Sequence, residues 1–224
     1  MKVKKVVLIV AAMLLVAALA VGGTLAYLTS TTAEVKNTFT VGDVEITLTE
    51  TSTEDADNDI LAGEVVKDEA GNFVGYKYHI LPGLKYDKEP VVTVEADSED
   101  CYVRAFITID KSAEFDAIFA ANELNITNVL DFNTTNWTPL KDTIENTKAN
   151  TRTYEVRYNA KVENNAKDQD LGALFTTLTV PETLTNEQLA KIADFNITIY
   201  AQAIQADGFA DAASAFAELP GYGK

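Results

Sequence analysis

The chain has 224 residues, and its 34 aspartates and glutamates outnumber its 18 lysines and arginines, giving a net charge of −16. A chain this acidic is repelled by phosphate backbones, so we expect no nucleic-acid partner. Its one cysteine, Cys101, excludes an intramolecular disulfide, and its one histidine, His79, falls short of the several His or Cys ligands of the usual zinc sites.

The first 26 residues have the pattern of a secretory signal peptide. Three lysines in residues 1–5 precede sixteen residues, 6–21, that carry no charged or polar side chain. Small residues at Thr24 and Ala26 predict cleavage after Ala26, with Tyr27 as the new N-terminus and one domain over 27–224. Loss of the three leader lysines takes the net charge from −16 to −19. The alternative is an uncleaved leader, which would be the only attachment of the protein to a membrane.

Beyond the leader, apolar and polar side chains alternate with the period of two that is typical of strands. The alternation changes phase at Gly42, between Phe39 and Ile46, which predicts a turn or β-bulge. A Gly-containing turn at 68–72 predicts a hairpin over 65–80. The same period predicts further strands at 90–96, 101–109, 153–162, 174–180 and 195–203. Residues 50–59 and 133–150 are polar; we expect a surface loop at 50–59 and a long loop with at most a short strand at 133–150.

Three short helices are predicted in the connections. The first spans 112–121, with Ser112 as its N-cap and Asn122 as its left-handed end. The second begins at a capping box formed by Thr185 and Gln188. The third spans 211–219, with Ala213 and Phe216 buried. Many strands, few helices and long connections predict an all-β fold, a jelly-roll-like two-sheet β-sandwich.

Catalytic chemistry has little support in the residues. His79 stands alone on a predicted strand, and the zinc-protease pattern HExxH is absent. Cys101 follows Glu99 and Asp100, and nearby acids raise the pKa of a thiol, so we expect a buried small residue and not a nucleophile. Arg104 is expected to pair with an acid. The sequence therefore predicts a protein that is not an enzyme.

Asp55, Asp57 and Asp59 have the alternate spacing of oxygen ligands that opens a calcium loop. The turn glycine of such a loop is replaced here by Ile60, and its bidentate glutamate by Val66. We therefore expect a solvated acidic loop and no cofactor, with weak calcium binding as the alternative.

Several blocks of sequence resemble the TasA and camelysin (CalY) family of exported bacterial proteins, whose signals are cut by the dedicated peptidase SipW. The blocks are GGTLAYLT at 22–29, NTFTVG at 37–42, LPG at 81–83, KEPVV at 88–92, CYVR at 101–104 and AIQADGF at 203–209. The resemblance implies a jelly-roll sandwich secreted by, or held on the surface of, a Gram-positive bacterium. In TasA-like proteins the subunits form biofilm matrix fibres, and a freed N-terminal segment completes the sheet of the next subunit. Camelysin was assigned as a metalloprotease, an activity for which the lone His79 provides no site.

Three hypotheses for function follow. The first is a structural protein that polymerises head to tail with itself, in which an assembly strand at 27–41 fills pockets of the neighbour through Tyr27, Leu28, Val35, Phe39 and Val41. The alternative for this segment is pairing within its own domain. The second is a monomeric surface module that binds carbohydrate or protein through Trp137, Tyr76 and Tyr78. The third, which we rank last, is a camelysin-like hydrolase using His79.

Overall fold

The computed structural model describes residues 43–53 and 60–219. This part of the chain contains twelve β-strands and three short α-helices. The strands are β1 (Ile46–Thr51), β2 (Ile60–Leu61), β3 (Glu64–Lys67), β4 (Phe73–Lys77), β5 (Lys85–Asp87), β6 (Glu89–Val94), β7 (Cys101–Asp110), β8 (Trp137–Asn146), β9 (Thr151–Tyr158), β10 (Gln169–Ala173), β11 (Thr177–Thr179) and β12 (Ile197–Gln205). The helices are α1 (Ser112–Asn122), α2 (Asn186–Lys191) and α3 (Ala212–Ala217), with a 3-10 turn at Ile126–Asn128.

Several predictions lie outside the described residues and remain predictions. They concern the signal peptide, its cleavage between Ala26 and Tyr27, the assembly strand 27–41 and the calcium candidates Asp55, Asp57 and Asp59. Within the described part, no helix is both long and apolar enough to cross a membrane.

Two three-stranded sheets, β1-β6-β10 and β11-β5-β2, lie end to end, and we call them together the first sheet. Their central strands, β6 and β5, are separated only by Lys88. β1 pairs with β6 on one side, and β10 pairs with β6 on the other, both antiparallel. β11 pairs antiparallel with β5 on the same side as β10, and the short β2 pairs parallel with β5 on the same side as β1. Bonds from Lys88 N to Thr176 O (3.0 Å) and from Leu174 N to Pro90 O (2.9 Å) bridge the gap between β10 and β11.

The second sheet has the antiparallel strand order β12-β7-β9-β8. In its central strand β7 the face predicted to be apolar is buried, namely Cys101, Val103, Ala105, Ile107 and Ile109. On the opposite face Arg104 and Phe106 are buried as well. One hydrophobic core joins the residues of the predicted apolar face to Val92 and Val94 of the first sheet. The two sheets therefore pack face to face, and the predicted all-β sandwich is confirmed.

The predicted hairpin is also present, as β3 and β4, and it forms a two-stranded sheet of its own. Among the described residues neither of its strands pairs with the two large sheets. It therefore stands beside the sandwich as a separate element, and its position bears on the candidate site.

The prediction of a loop over 133–150 is wrong, because ten of these residues form β8. β8 is the last strand of its sheet and has a bulge between Pro139 and Thr143. A sheet-end strand faces solvent and carries many polar side chains, and a bulge interrupts the period of two. Both effects conceal this strand in the sequence. The expected loop at 50–59 also begins later, because β1 reaches Thr51.

Helix and strand ends differ from prediction in several places. Lys111, in a left-handed conformation, is the N-cap of α1, and Glu123 takes the left-handed position expected of Asn122. Ser112 is instead the first helical residue. The predicted strand 174–180 is reduced to β11, and a separate strand, β10, precedes it. In α3, Ala215 and Phe216 are buried while Ala213 is exposed. The capping box of Thr185 and Gln188 is confirmed at α2.

Candidate functional site: an open-edged groove

One side of the sandwich, which we call the closed side, is sealed by residues 129–137. Thr179 N donates to Val129 O (2.8 Å), and Asn133 N donates to Leu174 O (2.9 Å). Side chains add to this seam, with Trp137 Nε1 donating to Gly172 O at 3.1 Å and Asn136 Nδ2 donating to Leu171 O at 3.0 Å. The β10–β11 end of the first sheet is thereby joined to the segment that leads into β8 of the second.

The opposite side, which we call the open side, is bounded by β1 and β12. These are the outermost strands of their sheets, and some of their Cα atoms approach within 8 Å. Among the described residues, β1 pairs only with β6, and β12 pairs only with β7. Each sheet therefore presents one outer strand edge on this side.

The register shows which backbone groups of β12 point outward. Asp110 N donates to Asn196 O at 3.2 Å, and Ala206 N donates to Asp100 O at 2.7 Å. Alternate residues of an antiparallel strand bond to the same neighbour, so the even-numbered residues of β12 face β7. Ile197 and Ile199 therefore direct their backbone N–H and C=O groups away from β7, toward the open side.

The same reasoning applies to β1. Glu95 N donates to Glu45 O at 2.9 Å, which places the odd-numbered residues of this strand in bonding positions toward β6. Ile46 and Leu48 therefore direct their backbone N–H and C=O groups outward. Two strand edges, one from each sheet, thus offer backbone donors and acceptors on the same side of the molecule.

A groove of about 630 Å³ runs along this open side. Its walls include Leu48 and Glu50 from β1, Ile197 and Ile199 from β12, and residues 73–77 of β4. Lys88 also lines it, with Nζ 2.6 Å from Glu50 Oε1 and only 6% of the residue exposed. The groove therefore combines apolar and polar walls, outward strand edges and one buried ion pair that links β1 to the centre of its sheet.

A row of four aromatic rings runs from the hairpin strand β4 to β5, and its first three, Phe73, Tyr76 and Tyr78, line the groove. Ring centroids are 5.1 Å apart for Phe73 and Tyr76, 6.4 Å for Tyr76 and Tyr78, and 5.8 Å for Tyr78 and Tyr86. Tyr78 OH donates to Asp87 O (3.0 Å), and Tyr86 OH donates to His79 O (2.6 Å). Burial raises the pKa of both tyrosines, so both hydroxyls stay neutral donors.

The other residues singled out in the sequence lie apart from the groove edges. His79 is exposed, and no cluster of three or more His, Cys, Asp or Glu within the described ranges could hold a metal ion. Cys101 is fully buried, as predicted, and burial together with Asp100 raises the pKa of its thiol to about 11. Arg104 pairs with Glu155 at 3.4 Å, as predicted, and lies 4.6 Å from the ring centre of Phe216.

The proposed aromatic binding platform is wrong. Trp137 is only 1% exposed and belongs to the closed side, where its indole is bonded to Gly172. Tyr76 and Tyr78 line the groove on the open side. Trp137 is the first residue of β8. The burial of its side chain could not be predicted, because the polar pattern of 133–150 conceals this strand.

A cluster of exposed apolar residues on the hairpin was not among the predicted site residues. These are Val65 (51% exposed), Val66 (39%), Phe73 (48%) and Val74 (59%). The signal was present in the sequence, because each strand of the hairpin carries two adjacent apolar residues where a strand with one wet face would alternate.

Comparisons of the chain with protein-family models, curated proteins and solved structures return no match. The likeness to the TasA and camelysin family therefore remains a resemblance. What the fold and the site define together is an all-β sandwich with one sealed side and one groove flanked by outer strands.

Proposed function

We propose that this protein is a secreted structural subunit of an extracellular matrix or cell surface, and that copies assemble head to tail by strand donation. Each copy accepts the N-terminal segment of the next in the groove of its open side. The observation that carries this proposal is the pair of outward strand edges, at Ile46–Leu48 and at Ile197–Ile199, which flank a groove lined by both apolar and polar side chains.

The physical argument starts from the backbone. An outer strand is a ready template for another strand, and folded proteins usually protect such edges. An extended segment added to β1 or β12 gains affinity from backbone hydrogen bonds and specificity from alternate side chains. The donating and accepting surfaces differ, so the contact is heterologous and forms filaments when the rotation does not close.

The proposed donor is the segment 27–41, which precedes the first described residue, Asp43. Fifteen extended residues span about 50 Å, which is enough to reach a neighbouring subunit. Val35, Phe39 and Val41 share one parity, so they would lie on one face of the strand. Cleavage after Ala26 by a SipW-like signal peptidase would release the donor only on export.

The first experiment compares two purified chains by negative-stain electron microscopy, one beginning at Tyr27 and one at Thr40. The hydrophobic core lies within residues that both chains contain, so both are expected to fold. We expect filaments from the longer chain only. Monomers from both chains, or filaments from both, would contradict donation by this segment.

A matched pair of variants tests the groove. Leu48 and Ile144 are both 39% exposed, and both lie on sheet-end strands, Leu48 at the groove and Ile144 on β8. A lysine at position 48 places a charge where the donor would bind. We expect Leu48→Lys to abolish filaments and Ile144→Lys to retain them. Equal assembly of the two variants would show that the groove takes no part.

Pairing of residues 27–41 within their own domain is the competing outcome. In that case the longer chain stays monomeric, and Leu48→Lys lowers its thermal stability while leaving the chain that starts at Thr40 unchanged. Size-exclusion chromatography and thermal unfolding distinguish this result from strand exchange.

A further inference from the structure

The β3–β4 hairpin exposes an unusual share of the apolar surface of this protein. It carries four of the eight large hydrophobic side chains that are exposed in the described part of the chain, although β3 and β4 contain only nine residues. A clustered apolar patch marks an interaction site. A two-stranded ribbon is also marginally stable in water unless a further strand or surface covers it.

The tip of the hairpin is ordered by local bonds. Asp68 N donates to Asn72 O at 2.9 Å, and the Asp68 carboxylate accepts from Asn72 N (2.8 Å) and Asn72 Nδ2 (3.0 Å). The side-chain hydrogen bond from Asn72 lowers the pKa of Asp68, so the turn keeps its charge at neutral pH. The turn of the hairpin is therefore ordered by bonds within the hairpin itself.

The base of the hairpin is tied to the first sheet. Gly63 N donates to Ser52 Oγ (2.8 Å), and Ser52 Oγ donates to Asp87 O (2.6 Å). A side chain at position 63 would meet Tyr76 Cβ at 2.7 Å and the Tyr78 ring at 2.8 Å, so only glycine fits here. The base is thus fixed while residues 64–77 extend beside the groove.

Val66, Phe73 and Val74 line the same groove as Leu48 and Ile199. A strand seated between β1 and β12 would therefore touch the hairpin as a third wall. We propose that the hairpin is a clamp that packs on the donated strand, here residues 27–41 of a second copy, and sets how slowly that strand dissociates. This inference rests on the proposed function and adds the surface that holds the partner in place.

The test uses filaments of the chain that begins at Tyr27. Val66→Ser with Val74→Ser removes two exposed groove-wall side chains, and Leu81→Ser is the control, because Leu81 is 43% exposed and outside the groove wall. After dilution, light scattering follows filament loss. We expect the double variant to dissociate about 10- to 100-fold faster, since most interface changes act on dissociation rates, and the control to match the parent.

Hydrogen exchange provides a second readout that a folding defect would not mimic. In the parent, amides of residues 64–77 should gain protection on assembly, because the seated strand covers the hairpin. Equal dissociation rates for the parent and the double variant, with no gain in protection, would overturn the clamp while leaving the groove as the assembly site. Absence of filaments from the parent would overturn both proposals.

Discussion

The two sides of the sandwich differ in how the backbone groups at their outer strands are paired. On the closed side, backbone groups of 129–137 bond to the β10–β11 end of the first sheet, and the side chains of Asn133, Asn136 and Trp137 complete the seam. On the open side, β1 and β12 lie at a groove with outward backbone groups and no strand partner among the described residues. Because an unpaired backbone group needs a partner once it is buried, the open side suits a strand from elsewhere.

The side chains of the two sides differ accordingly. The closed side is rich in amides and carboxylates that accept or donate specific bonds, such as Asp131, which accepts from Thr176 N (2.9 Å) and Thr177 N (2.7 Å). The open side instead presents Leu48, Val66 and Val74. The closed side is thus complete in itself, whereas the open side leaves large apolar side chains exposed beside polar ones such as Lys77 and Asp194.

The largest effect is expected at the closed side. Trp137→Ala removes a fully buried ring and its bond to Gly172, and large-to-small changes of this kind cost about 3–5 kcal/mol in free energy of unfolding. Urea unfolding measures the loss. The control, Ile144→Ala on the same strand, should cost less than about 1 kcal/mol because Ile144 is exposed. Similar losses for both would show that the seam is dispensable.

On the open side, Glu50→Ala leaves the buried ammonium of Lys88 without its carboxylate. Removing one partner of a buried ion pair costs about 3 kcal/mol or more. Replacing both residues, as Glu50→Leu with Lys88→Met, should restore most of the free energy of unfolding. A urea-unfolding double-mutant cycle checks this, and additive losses would contradict coupling between the two charges.

Two glycines with positive φ, one in the closed seam and one at the hairpin tip, should differ in how much a change to alanine destabilises the fold. Gly172 (φ +77°) sits in the closed seam, where an added Cβ would lie 2.6 Å from Asn136 Nδ2, an atom already bonded to Leu171 O. Gly71 (φ +87°) at the hairpin tip has no atom within 4 Å of that position. We expect Gly71→Ala to cost about 1 kcal/mol from backbone strain alone and Gly172→Ala about 2 kcal/mol or more. Thermal unfolding should rank them in this order.

The smallest effect concerns acid stability. Hydrogen bonds from Arg152 lower the pKa of Asp116 below 3.8, so this carboxylate stabilises the fold above that pH and the contribution is lost as pH falls through the folded-state pKa. Between pH 2 and 5, the free energy of unfolding should change less with pH in Asp116→Asn than in the parent. An equal pH dependence in the two proteins would contradict a contribution from this carboxylate.

Much of the fold was predictable from local pattern. The alternation along β7, the turn of the β3–β4 hairpin and the capping box at α2 depend on residues close in sequence, and all three are present. β8 was missed because its polar side chains and its bulge hide the period of two. Of the candidate site, a donor segment at 27–41 could be proposed from the sequence, but neither the groove nor the two strand edges beside it could be predicted.

The sequence by itself determined that this chain is an all-β sandwich with few helices, since strand period, turns and caps are short-range properties. Only the tertiary structure decided which strands end each sheet, which side is sealed and which side is open. The pair of Glu50 and Lys88 joins residues 38 apart, and the groove brings together β1, β4 and β12 from distant parts of the chain. Such juxtapositions arise from long-range strand pairing, which no local pattern encodes.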